Sequence, residues 1–237
     1  MVEAKALLFR VDRKIDRLHT EHTPTIKAVD ICSAATEAEF WLLKDRVQRA
    51  EQDKTLRHAL LPLEVKEKFM PVTGGTTESI IAFPPDYYRD LGIRICVSKR
   101  GCGKKEIALT KMETGDKNKS LTDPFWKTSF FWEQIFGDEG ADGLHVYNGT
   151  DCKVIGMIID YYRIPPEVHC PSAVIPPDKY IDWNGVAQTE DQGWVLDELF
   201  DEGVNLIAMM LKGDIGDFRD FQLQQSNNMQ TVQISKL

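Results

Sequence analysis

The chain has 237 residues, a formal net charge of −8, 42% apolar and 28% charged residues, the balance of a folded soluble protein long enough to bury a substantial core. Its acidic excess speaks against a general binder of nucleic acid or anionic membrane, because phosphate contacts need surplus lysine and arginine, and leaves room only for a local basic patch. Cys32, Cys96, Cys102, Cys152 and Cys170 are irregularly spaced and include no CxxC pair, so they read as small buried hydrophobes of a reducing compartment rather than a disulfide framework.

The N-terminus carries no secretory apolar segment, and the longest purely apolar run, residues 206–211, is far short of a bilayer span. The expectation is a soluble protein made in the cytoplasm of its producing cell. Leu7, Val11, Ile15 and Leu18 recur at helical spacing over residues 2–19 and predict an amphipathic helix. A second helix is predicted from Pro24 to about Gln52, with Thr36-x-x-Glu39 offering a capping box should it break midway. Residues 53–68 repeat the pattern through Leu56, Leu60 and Leu63, with Pro62 kinking or ending it. These first seventy residues hold 12 acidic and 13 basic side chains and are close to neutral.

Residues 70–79, with Pro71 and Gly74-Gly75, mark the change to β-rich sequence. An apolar start at Ile80 leads to a short Pro-started helix through Tyr87, Tyr88 and Leu91. Residues 92–98 and 104–112 alternate as two strands around Lys99-Arg100-Gly101-Cys102-Gly103, a hairpin. A polar loop follows over 113–120, and then Phe130, Phe131, Trp132 and Phe136 form an aromatic cluster of core or interface type. Residues 143–147 and 150–166, rich in Val, Ile and Tyr on either side of Asn148-Gly149, carry the strongest hairpin signal in the chain. Residues 167–185 read as a long ordered loop or arm, residues 192–212 as a helix modestly interrupted by Gly203, and the polar tail from Phe221 holds no core-sized apolar content.

The expected fold class is α+β: an N-terminal helical hairpin and a C-terminal helix packed as a bundle, with an inserted antiparallel β-hairpin region. The corresponding divisions are an N-terminal helical region over 1–69, a β-rich platform with a Pro-rich arm over 70–186, the last bundle helix over 187–220, and a tail over 221–237.

Catalytic motifs are not evident. Gly101-x-Gly103-Lys104-Lys105 fails as a phosphate loop, because the required first glycine falls at Ser98 and no Ser or Thr follows the lysine. The acidic run 138–142 lacks the alternating ligands of a calcium loop. His19, His22, His58, His145 and His169 are scattered, none beside a nucleophile with an orienting acid. No cofactor, metal or catalytic residue is expected from these patterns. The competing enzymatic reading is a cytoplasmic site assembled from His145, His169 and the acidic residues around Asp138 to Asp142.

Charge is unevenly spread. Residues 94–119 contain 8 basic and 3 acidic side chains, whereas residues 182–220 contain 2 basic and 10 acidic. Such a chain suits a heterologous contact in which the basic hairpin of one copy meets the acidic helix of the next, a head-to-tail arrangement that closes into a ring. The residues singled out for inter-subunit contact are Arg94, Lys99, Arg100, Lys104 and Lys105 on the hairpin and Asp197, Glu198, Asp201 and Glu202 on the helix. Trp183 and Phe221 are candidate aromatic anchors.

Several segments together carry a resemblance: Asp30-Ile31-x₆-Glu37-Ala38-Glu39-x₆-Arg46, Phe83-Pro84-Pro85-Asp86-Tyr87-Tyr88-x-x-Leu91, Leu121-x-Asp123-Pro124-Phe125, Leu144-His145-Val146-Tyr147 and Ile159-x-Tyr161-Tyr162-Arg163-Ile164-Pro165-Pro166. In this order they resemble the head-to-tail ring proteins of crAss-like and related tailed bacteriophages that infect Bacteroidetes. More distantly, the plan is similar to the adaptor proteins of podovirus necks. The resemblance implies a non-enzymatic virion subunit in the neck between capsid and tail, assembled in the host cytoplasm as a ring of about twelve copies to match a portal. Its implied partners are further copies, the portal protein and neighbouring neck or tail proteins, with packaged DNA passing through unrecognised. Another virion part, such as a tail-tube or cargo protein, is the next reading.

Overall fold

Leu7, Val11 and Ile15 are buried on one stripe of helix α1 (Ala4–Asp16), as their spacing predicts. The computed structural model describes residues 2–16, 26–73, 78–112, 128–147, 152–174, 180–182 and 185–211. Its class is α+β, and the chain divides into a helical unit, residues 1–63 with 165–237, and a β unit, residues 64–164. The β unit thus starts earlier than the expected 70–186, at Glu64, and ends earlier, at Ile164, and the described part of the Pro-rich segment belongs to the helical unit.

Helix α2 (Ala28–Ala50) is unbroken, and the Thr36/Glu39 capping box is not used. Thr36 instead turns its hydroxyl to Cys32 O at 3.0 Å and accepts from Val168 N at 2.9 Å, which seats the segment after Pro165 against α2. Ile31, Ala35, Leu42, Leu43 and Val47 of α2 are buried. The helix expected over 53–68 stops at Leu63 as a 3₁₀ helix (Lys54–Leu63); Pro62 removes a backbone donor, and strand β1 (Glu64–Pro71) begins at once.

The helix expected over 192–212 is likewise shorter. Residues 192–196 are extended: Gln192 pairs with His169 and Trp194 with Val2. A 3₁₀ turn (Asp197–Leu199) leads into helix α3 (Phe200–Leu211). The physical reason is that the N–H groups of Val195 and Leu196, which a longer helix would need, bond Glu39 Oε1 at 2.6 and 2.9 Å. Gly203, read as an interruption, lies so close to the indole of the fully buried Trp194 that a Cβ there collides with the ring. The helix needs that glycine to close over the tryptophan.

The β unit is one seven-stranded sheet in the order β1-β7-β3-β4-β5-β6-β2. Its further strands are β2 (Glu78–Ile81), β3 (Tyr87–Lys99), β4 (Gly103–Lys111), β5 (Ile135–Gly140), β6 (Gly143–Tyr147) and β7 (Lys153–Arg163). All neighbours are antiparallel except β4 and β5, whose short parallel pairing at Leu109 to Lys111 joins the two halves. The sheet curls toward closure, since just beyond β1 Val72 donates to Ile155 O on β7 and Thr73 donates to Ile80 O on β2. Ile95, Val97, Ile107, Ile135, Leu144, Val146, Met157, Ile159 and Tyr161 fill the core inside the curl.

Strands β6 and β7 lie where the sequence predicts strands, but they are not a hairpin. β6 pairs with β5 and β2, and β7 pairs with β3 and β1; residues 148–151, with the Asn-Gly pair, fall outside the described residues. Two Val/Ile-rich strands adjacent in sequence compete for several partners, and here the buried faces select others. The hairpin expected around Gly101 is present, with Ile95 opposite Ile107 and the turn glycines Gly101 and Gly103 at φ +84° and +85°, conformations costly for any other residue. The Pro-started helix over 84–91 is instead a turn that enters β3, where Tyr161 Oη donates to Asp86 Oδ1 at 2.9 Å and Ile164 N donates to Asp86 O at 2.7 Å.

Candidate partner-binding surface

The β3–β4 turn and the segment that leads into β5 form one aromatic and basic tip on the β unit. Ser129 and Gln134 exchange backbone bonds of 2.8 and 3.2 Å and close a tight loop between them. Glu133 takes φ +52° to make that turn, a strained conformation for a non-glycine residue. The expected aromatic cluster is thereby split. Phe130 and Phe136 point into the core at 2% and 6% exposure, whereas Phe131 and Trp132 stand out at 66% and 81%.

Lys99 places its ammonium 3.9 Å from the centre of the Phe131 ring, and Lys105 lies 5.1 Å from that of Phe130 while pairing with Glu133 at 2.8 Å. Such cation–π contacts are worth about 0.5–1 kcal/mol at exposed sites. They hold the basic turn and the aromatic loop in one patch. Arg100 and Lys104 are exposed on the turn itself. Arg94, farther along β3, is bound by Glu106 at 2.9 Å and Glu67 at 3.6 Å, so its charge is neutralised within the sheet. An exposed tryptophan beside a phenylalanine, framed by cations, is the composition of a recognition surface: aromatics supply buried area on contact and cations supply steering.

The acidic residues named from the sequence cluster around the start of α3, where negative charge complements the helix dipole. They also have partners in their own bundle. Arg46 binds Glu202, with side chains 14% and 25% exposed. Arg10 meets Asp201 at 3.2 Å with side chains 60% and 86% exposed, and His58 Nδ1 lies 2.7 Å from Glu198 Oε1. Glu202 is therefore a bundle residue, whereas Asp201 and Glu198 remain largely on the surface, beside exposed Asp197. Trp183 and Phe221 lie outside the described residues.

The two histidines of the enzymatic reading fall in separate units. His145 on β6 sits between Glu78 and Asp142, and His169 lies 3.8 Å from Glu167 in the helical unit. All five cysteines are unbridged; Cys32 and Cys170 are buried, but Cys102 is exposed at the tip, unlike the buried set expected. Burial pushes the Cys32 thiol up to about 11, far from reactive thiolate chemistry.

Sequence reasoning missed the exposure of Phe131 and Trp132. The available signal was local: Ser129 and Glu133-Gln134 frame the aromatic pair with turn-forming and charged residues, which is not the pattern of a buried strand. No protein-family model matches the chain, and no curated protein matches its sequence.

Proposed function

We propose that this chain is a non-enzymatic structural subunit of a virion head-to-tail connector ring in a tailed bacteriophage, acting by binding copies of itself and its neighbours in the neck. The observation that carries this reading is the tip, where Lys99 sits over the ring of 66%-exposed Phe131, which is followed by 81%-exposed Trp132, and Arg100 and Lys104 are exposed on the same hairpin as Lys99. A surface of this composition calls for a partner with an apolar centre and a negative rim. The exposed Asp197, Glu198 and Asp201 at the start of α3 supply such a rim on the next copy in a head-to-tail ring.

The segments behind the phage resemblance support the reading by the work they do. Glu39 and Arg46 of the first fix the chain before α3 and α3 itself onto α2. The second and last meet at the base of β3, where Phe83 stacks on Tyr87 at 4.3 Å and Tyr161 bonds Asp86. They are framework residues, as a structural subunit requires.

Negative-stain imaging and native mass spectrometry of the purified full chain test the proposal. Closed, rotationally symmetric rings are expected. Lys99→Glu with Arg100→Glu lowers assembly and removes its sensitivity to salt, whereas Trp132→Ala lowers assembly at every ionic strength. A chain that stays monomeric at high concentration across ionic strengths sinks the proposal, and normal rings from both variants discard the tip as its contact.

A further inference from the structure

Three adjacent strands of the β unit bring one set of metal-ligating side chains to one face, in residues that the ring reading does not use. His145 on β6 is directly opposite Asp138 on β5, and Glu78 on β2 is opposite Tyr147, two residues along β6 from His145. Residues two apart on a strand share a face, so Glu78, Asp138 and His145 rise on the same side. Their ligand atoms lie within 4.8 Å of one another.

The imidazole is gripped from both sides. Nδ1 lies 2.6 Å from Glu78 Oε1, and Nε2 lies 2.5 Å from Asp142 Oδ1. An imidazolium held by two carboxylates would account for Glu78 and Asp142. The Tyr147 hydroxyl interacts with the Asp138 carboxylate, yet Asp138 Oδ1 is shut off from solvent and takes no hydrogen bond from a described donor. A cation seated among Glu78, Asp138 and Nδ1 gives that oxygen a partner. Nε2–H then donates to Asp142, which fixes the tautomer in the carboxylate–histidine–metal relation common at metal sites.

We propose that Glu78, Asp138 and His145 bind a divalent first-row transition ion of the Zn²⁺ type, with Asp142 orienting the imidazole from behind. The imidazole nitrogen selects such ions over Mg²⁺ and Ca²⁺, which favour all-oxygen shells. The ion ties the short edge strand β2 to β6 and β5. The comparable group Glu167, His169 and Asp182 in the helical unit does not qualify, since both Asp182 oxygens are already taken, Oδ1 by Val186 N at 2.8 Å and Oδ2 by Gln188 Nε2 at 3.0 Å.

The test is Zn²⁺ titration by calorimetry of the untagged full chain stripped with chelator, on a Cys102→Ser background that removes the exposed thiol. One ion per chain is expected, with micromolar or tighter affinity. His145→Gln and Asp138→Asn each weaken binding by about tenfold or more, His169→Gln leaves it unchanged, and millimolar Mg²⁺ does not compete. Because the variants carry a folding risk, ¹⁵N-histidine spectra of the parent protein provide an independent reading: Zn²⁺ shifts the Nδ1 resonance of His145. No saturable binding, binding retained by His145→Gln, or an unshifted His145 resonance overturns the site.

Discussion

Glu39 is a carboxylic acid in the core of the helical unit, fully shielded from solvent. Burial pushes its pKa up to about 7 from an ordinary 4.5, outweighing the two N–H groups of Val195 and Leu196 that favour its charged form. An acid whose folded pKa is raised binds more protons folded than unfolded, so stability falls as pH climbs from about 4.5 through 7 and then levels off. Glu39→Gln keeps one acceptor oxygen and removes this loss; urea melts should show a flatter stability profile between those pH values than the parent protein gives. Glu39→Ala strands two buried donors and should cost about 3 kcal/mol below the ordinary glutamate range, the difference from the parent shrinking as pH climbs from about 4.5 through 7. From sequence, Glu39 and Thr36 spelled a helix start. Their side chains are spaced for a local cap, yet both reach across to the returning C-terminal chain, a long-range contact that no local pattern encodes.

His145 carries the same sign, in a higher pH range. The hydrogen bond with Asp142 is the largest influence and raises its pKa above the usual histidine value; burial opposes it next, and Glu78 adds a further upward push. Without a metal, the contribution of the protonated ring is full below the ordinary histidine range and is lost as pH rises through the raised value.

At the scale of elements, ion pairs decide how α3 sits on α1 and α2. The Arg46–Glu202 pair is largely withdrawn from solvent, whereas Arg10–Asp201 is open to it. Arg46→Ala should therefore cost about 1–2 kcal/mol, and Arg10→Ala no more than about 0.5 kcal/mol, in matched denaturant titrations. Equal losses would mean that burial does not govern these pairs. The same helix shows what periodicity can and cannot reveal. Val204, Ile207 and Ala208 announce a buried stripe, but Gln192 to Leu196 fit the same period and are extended, because Glu39 takes the N–H groups of Val195 and Leu196 while Gln192 pairs with His169. The strands followed a similar rule: β3, β4, β6 and β7 were legible from alternation and β-branched content, while the pairing of β6 with β2 was not. Pairing depends on which buried faces match across the sheet, and that information lies outside any single segment. The parallel contact of β4 with β5 was equally invisible.

For the whole molecule, the division into a helical and a β unit was legible as a change in hydrophobic period, although its edges were not. Pro62 and Pro165 bracket the true β unit more closely than the Gly-rich and Pro-rich stretches expected to mark it. The charge asymmetry was legible too, but not which of its charges are already engaged within the chain. Counting charges cannot reveal that Arg94 and Glu202 already have partners or that Trp132 is exposed. Within the β unit, the first and last strands are neighbours, with Glu64 opposite Tyr162 and Val65 opposite Tyr161, so the unit's first residue lies about 5 Å from a residue two positions before its last. Replacing residues 64–164 with a short Gly/Ser linker should leave a helical unit that still melts cooperatively by circular dichroism; an unfolded product would show that the two units cannot be separated.

That adjacency of first and last strand also bears on how such a chain changes over generations. A crossover on each side of residues 64–164 suffices to swap the whole sheet without rethreading the helices that flank it. The sheet can then be exchanged as a cassette on an inherited scaffold.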